Sequence, residues 1–200
     1  MLLDKDKLYV ILSFGRSGSV LISQLFKTWL DTEAIFVKQW SLNPVKLQHT
    51  HFMFSGTELD PYVRVFCMRR DIVECMLSFI LCEQYKYWHH AVDKPVQNYQ
   101  PFEYNDWSFL NALCQGYCDW HHFYQSQLRS QDLVLYLEDL KPRLPNPCPF
   151  FHETYPDKKQ LIQNYDEVVA YIKNFLPMMQ ISIGPFARHV NTVDAYSVIV

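Results

Sequence analysis

Two kinds of apolar pattern alternate along the chain. Short, largely apolar runs appear at Lys7–Phe14 (KLYVILSF), Val63–Met68 (VRVFCM) and Leu133–Leu137 (LVLYL). Runs this short and this rich in strand formers predict buried parallel strands. Longer stretches with apolar residues at helical spacing lie between them. SVLISQLFKTWL carries Val20, Leu21, Leu25, Phe26 and Trp29 in that rhythm. RRDIVECMLSFILCEQYKYW (69–88) predicts a second helix, with Asp71 as an acid in its early turn. WSFLNALCQGYCDWHHFYQSQL (107–128) predicts a long helix despite Gly116, and DKKQLIQNYDEVVAYIKNFL (157–176) one or two helical segments more. The stretch 93–105, with Pro95 and Pro101, reads as a loop near a substrate, and KPRLPNPCPF (141–150) as a connector. Strands alternating with helices predict an α/β fold: a single domain over 1–200, three-layer α/β/α, around a central, mostly parallel sheet.

Composition narrows the class. The chain has 200 residues, 49% of them hydrophobic and 20% charged, enough for a sizeable core and unlike a disordered chain. Aromatics reach 16%, which reads first as an aromatic-rich core. The net charge of -3 argues against general binding to nucleic acid or to an anionic membrane surface. MLLDKDKLYV lacks a signal pattern and no apolar run reaches membrane-spanning length, so a cytoplasmic protein is expected, or a luminal part of an anchored one. Six cysteines without a Cys-x-x-Cys pair suit buried, reduced thiols. Cys114, Cys118 and His122 share helical spacing but lack a fourth ligand, so no metal site is expected.

The chemistry concentrates in Phe14-Gly15-Arg16-Ser17-Gly18-Ser19-Val20, between the first strand and the first helix. Such a loop aims backbone N–H groups and the helix dipole at one point. Glycines let the backbone approach closely, serines add donors, and Arg16 adds a fixed charge with a fork of donors. The ligand this chemistry suits is a phosphate or a sulfate; a turn with only a packing role is the plain alternative. The loop is P-loop-like but not a Walker A motif, because the lysine before Ser/Thr is missing. Arg69 and Arg70 follow the second strand directly, at the sheet edge where ligands bind in open α/β folds.

These segments carry a resemblance. FGRSGSVLISQLF resembles the 5′-phosphosulfate loop of sulfotransferases that use 3′-phosphoadenylyl sulfate (PAPS). VFCMRRDIVECMLSF is similar to their 3′-phosphate segment, and LVLYLEDL, preceded by a helix containing Trp120, to their late strand. The matches run in family order over residues 7–140. The resemblance implies that Gly15, Arg16, Ser17, Gly18, Ser19 and Val20 cradle the phosphosulfate. It implies that Arg69 and Ser78 hold the 3′-phosphate, with Arg70 as the alternative arginine. The sequence departs from the family at Phe14-Gly15, where many members have a proline, and at Arg16, where lysine is frequent. The C-terminal glycine-rich basic segment is not evident; IGPFARHVN, with Arg188, is the candidate substitute.

Sulfuryl transfer needs a base for the acceptor and positive charge for the transferring and leaving groups. In many members the base is a histidine at a strand end between the two phosphate segments. LQHTHFMF lies in that interval, so His51 is the expected base, His49 the reserve, and Glu58 the carboxylate alternative. An ordinary histidine, with pKa about 6.5, suits the task. His89–His90 and His121–His122 are adjacent pairs that point apart on a helix and make poor shared sites. Glu138–Asp139 reads as structural capping before it reads as a base. The implied activity is sulfuryl transfer from PAPS to a hydroxyl or amine of a carbohydrate or other small acceptor, releasing adenosine 3′,5′-bisphosphate (PAP) without a metal. Arg16 and His51 would be the catalytic pair. Two rivals remain open at this level: a degenerate P-loop nucleotide kinase, which would need magnesium and ATP, and a non-catalytic sulfotransferase-like binding protein.

Overall fold

A computed structural model describes residues 3–36, 45–51, 53–54, 56–86, 99–144, 157–187 and 199. The first strand, β1, is Leu8–Ser13, and the Gly/Ser loop delivers the chain into α1, Ser19–Leu30. Two further strands follow: β2, Ile35–Phe36, and β3, Leu47–Thr50. A single 3₁₀ turn at Gly56–Leu59 leads into β4, Tyr62–Met68, and then α2, Ile72–Tyr85. The remainder is α3 (Trp107–Gln125), β5 (Leu133–Tyr136), α4 (Leu137–Leu140), α5 (Lys158–Leu161) and α6 (Tyr165–Ala187). The described strands form one five-stranded sheet in the order β2-β3-β1-β4-β5, with every neighbouring pair parallel.

Alternation along the strands divides the core. Tyr9, Ile11, Val65, Cys67 and Leu135 turn to one face and pack under Leu21, Ile22, Leu25, Phe26 and Leu30 of α1. Val10, Leu12, Phe66, Val134 and Tyr136 turn to the other, against Trp120 and Tyr124 of α3 and Phe186 of α6. Each large apolar side chain removed from water contributes about 1.5–3 kcal/mol, so α1 is held mainly by this face. Behind the second face, α2, α3 and α6 share their own cluster, which includes Ile80, Leu81, Tyr117 and Ile172. Helices therefore cover both faces of a parallel α/β sheet. Because all strands run the same way, the loops after β1, β3, β4 and β5 leave from one edge.

Several element bounds differ from the sequence reading. The helix expected from residue 69 starts at Ile72, because the Asp71 carboxylate accepts from the Glu74 backbone N–H at 2.8 Å and caps the first turn. β3 carries Gln48, His49 and Thr50 buried, which hides it from a search for apolar runs. α6 continues past Leu176 through Pro177 and Pro185, where a proline pattern predicts an end. Of the expected loop 93–105, residues 93–98 lie outside the described residues, while Phe102 bridges to Ile162. Of the connector 141–150, residues 145–150 lie outside them and Lys141–Arg143 form a 3₁₀ turn. Among the described residues, Cys67, Cys75, Cys82, Cys114 and Cys118 are unbridged and buried. No helix among the described residues is long and apolar enough to cross a membrane.

Candidate functional site

The loop after β1 turns on left-handed backbone. Gly15 has φ 72°, Arg16 φ 48° and Gly18 φ 81°, so three of four successive residues lie where L side chains are disfavoured. A Cβ would also crowd a neighbouring side chain at either glycine. A Cβ on Gly18 would sit 2.6 Å from Leu137 Cδ1, and one on Gly15 would sit 2.7 Å from Phe79 Cζ. The Ser17 hydroxyl donates to the Gly15 carbonyl at 2.9 Å and closes the turn. Gly18 is the N-cap of α1, no side chain caps that helix, and its first turn holds no acid. The N-terminal dipole of α1 thus opens onto the loop without a protein carboxylate of its own. Ser19 is buried and Val20 exposed on that first turn.

Arg69 meets this loop from 53 residues away. It lies one residue beyond β4, is 7% exposed, and reaches the Arg16 carbonyl with Nη1 at 3.4 Å. Its Nε donates to Glu138 Oε1 at 2.6 Å, and the other Glu138 oxygen accepts from the Arg70 backbone N–H at 3.0 Å. Burial opposes the Arg69 charge; Cys75, Glu138 and Glu74 outweigh it and raise the guanidinium's pKa. Burial likewise opposes the Glu138 charge, but the Arg70 N–H and the Arg69 guanidinium hold its carboxyl below the ordinary value. Arg70 turns outward instead. It pairs with Asp139 and lies over the Tyr136 ring, with its Cζ 4.0 Å from the ring centre. The Glu138–Asp139 pair therefore anchors the two arginines, and Glu138 also accepts from the Arg70 and Asp71 backbone N–H groups just before α2, a structural role of the kind expected from sequence.

α2 lies against the loop. The Cys75 thiol contacts the Gly15 carbonyl at 3.8 Å. Burial pushes that thiol up to about 11, offset in part by Arg69, Arg16 and Lys158 around it. One turn on, the Ser78 hydroxyl receives Lys158 Nζ at 2.7 Å, and the same ammonium pairs with the Glu74 carboxylate. Burial lowers the Lys158 pKa in spite of Glu74, with Arg69 adding to the effect. Beneath the loop lies Tyr117, 1% exposed, its ring 5.3 Å from Phe14.

On the other flank, His51 directly follows β3 and faces the end of β1. Its Nδ1 lies 2.7 Å from the Ser13 hydroxyl and 3.0 Å from the Ser13 carbonyl. A carbonyl only accepts, so this contact favours the tautomer with hydrogen on Nδ1 and the lone pair on Nε2. His49 lies inside β3, 4% exposed, with its ring 4.9 Å from that of His51. Glu58 lies on the 3₁₀ turn before β4, beside Asp60, which pairs with Arg129 at 3.5 Å. That is the opposite edge of the sheet from the loop.

The fold thus brings Arg16, Ser17, Arg69, Ser78 and His51 to one edge, and leaves Arg70 and Glu58 outside that group. His89, His90, Tyr87, Trp88, Cys148 and Arg188 lie outside the described residues. Tyr85 packs against Tyr99 and Phe102, and Trp107 against Tyr104 and Tyr171. Sequence reasoning missed Lys158 and Glu74. The Asp71–Glu74 spacing was a visible capping signal, but nothing local in DKKQL marks Lys158. No protein-family model, curated protein or solved structure matches this chain.

Proposed function

We propose that the chain is a PAPS-dependent sulfotransferase that passes a sulfuryl group to a hydroxyl or amine of a carbohydrate or other small acceptor. The observation that carries this reading is the meeting of Arg69 with the Arg16 carbonyl across the loop. It joins two cationic motifs, distant in sequence, at the carboxyl ends of β1 and β4. A P-loop-like loop without a Walker lysine supports an anionic donor held by arginines and backbone dipoles. In this reading Gly15 through Val20 cradle the phosphosulfate of PAPS, and Arg69 with Ser78 binds its 3′-phosphate. Arg69 takes that role in preference to Arg70, because Arg69 is buried at the loop and Arg70 lies out on Asp139 and Tyr136.

His51 is the base, since its Nδ1 is oriented by Ser13 and Nε2 is left as the basic nitrogen. The acceptor oxygen bonds to sulfur as its proton passes to Nε2. The bond from sulfur to the bridging oxygen breaks, and the electron pair leaves on PAP. Arg16 offsets the charge that grows on that bridging oxygen.

The test is transfer of ³⁵S label from PAPS to a panel of glycans and small hydroxyl and amine acceptors. Wild-type protein labels at least one acceptor, and His51→Ala lowers the rate by about 10²-fold or more. A folded wild type that binds PAP and labels nothing on a broad panel would instead support a non-catalytic binding protein.

A further inference from the structure

The Arg69–Ser78 region carries a cation that the sulfotransferase reading did not assign. Glu74 and Ser78 are neighbours on α2 at i and i+4, and Cys75 neighbours Ser78 at i, i+3. Lys158 reaches that face from α5, 80 residues on in sequence. Its Nζ donates to Ser78 Oγ at 2.7 Å and to the Glu74 carbonyl at 3.3 Å, and it pairs with the Glu74 carboxylate. The Lys158 side chain is 14% exposed while that of Glu74 is 39% exposed. The carboxylate is therefore the partner that water already reaches. Arg69, Arg16 and Lys158 all act electrostatically on the Cys75 thiol. Two carboxylates, Glu138 and Glu74, face them, and Glu138 is committed to Arg69 and the Arg70 N–H.

We propose that Lys158 joins Arg69 and Ser78 in holding the ribose phosphate, and that Glu74 is a displaceable stand-in for it, holding Lys158 over Ser78 until that second phosphate replaces the carboxylate. The proposal rests on the donor-site reading above and deepens it. The ligand class is a nucleotide with a phosphate on the ribose in addition to the one at the loop. Lys158 belongs to the α5 segment, so occupation of the subsite also ties that segment to α2. The lowered Lys158 pKa supports the idea, because Glu74 does not fully offset the burial of the ammonium. A full phosphate supplies more charge and more acceptor oxygens than one half-exposed carboxylate.

The experiment is calorimetric titration of PAP and of adenosine 5′-monophosphate into the full-length wild type, Lys158→Gln, Lys158→Arg and Glu74→Gln. Wild type prefers PAP. Lys158→Gln weakens PAP by about tenfold or more and leaves the monophosphate unchanged, as expected for loss of one charge-assisted contact. Lys158→Arg keeps most of the preference, and Glu74→Gln raises it. A wild type that prefers PAP, with the preference intact in Lys158→Gln, overturns this proposal alone and leaves Lys158 as a clamp between α5 and α2. A folded wild type that binds neither nucleotide overturns it together with the donor-site reading. Should Lys158→Gln fail to fold, Glu74→Gln decides: a raised PAP preference supports the subsite, and an unchanged one overturns it.

Discussion

At the scale of single residues, the loop depends on two glycines more than on its charged side chain. Gly18 combines φ 81° with a Cβ position 2.6 Å from Leu137 Cδ1. Gly18→Ala is expected to cost roughly 1–3 kcal/mol, from strained backbone plus a forced shift of a packed leucine, read as a lower urea midpoint. Gly15→Ala meets only the tip of the Phe79 ring, so its cost is the smaller of the two. These requirements were half legible in the sequence. Gly-Arg-Ser-Gly between a strand and a helix announces a tight turn, but that Leu137 closes over Gly18 follows only from the fold. Arg69 shows the same division. Its place after a strand was visible, while its choice over Arg70 depends on which side chain turns inward to Glu138. Lys158 was not legible at all, because it reaches Ser78 across 80 residues and no local spacing encodes that contact.

At the scale of elements, buried polar groups fix how strands and helices meet. Arg64 of β4 is 3% exposed and Asp132, just before β5, is 0% exposed, and the two are paired. Asp132 also accepts from the Arg129 backbone N–H at 2.8 Å. Asp132→Ala leaves a buried guanidinium without its counter-ion and is expected to cost about 3–5 kcal/mol in chemical denaturation. In α3, His121 is buried among Tyr117, Trp120 and Phe186, and burial lowers its pKa from 6.5 to about 3. A depressed histidine stabilises the fold fully above its unfolded pKa and loses that contribution as pH falls towards the folded one. Stability should therefore fall by about 1.4 kcal/mol per pH unit from this group below pH ~6. Melting curves at pH 7 and pH 5 should differ in the wild type, and by less in His121→Phe. Glu138, whose carboxyl is lowered, acts in the same direction but only from the ordinary carboxylate value downward, so the comparison of pH 7 with pH 5 reads His121 rather than Glu138. The strands β1, β4 and β5 were readable because both their faces are buried and their runs are largely apolar, Arg64 being the charge inside β4. β3 was not, because Gln48 spends its burial on a hydrogen bond to the Tyr62 hydroxyl at 2.6 Å, and His49 sits beside it.

At the scale of the whole molecule, the parallel sheet does the assembling. The order β2-β3-β1-β4-β5 puts β1 between β3 and β4, so the loop after β1 has His51 on one side and Arg69 on the other. α/β alternation in the sequence foretold that edge, and motif order suggested the donor. The helical layer of α2, α3 and α6, with α5 leaning on α2, was legible only as helix-forming stretches, since their mutual packing depends on contacts between distant segments. The central claim is that this edge binds a bis-phosphorylated adenosine through arginines and backbone rather than through a metal. Its most direct test is calorimetric titration of PAP into wild type and Arg69→Ala, each with magnesium and with EDTA. The account predicts wild-type binding that EDTA leaves unchanged and that Arg69→Ala weakens by tenfold or more. Binding that requires magnesium, or that survives intact in Arg69→Ala, would contradict it.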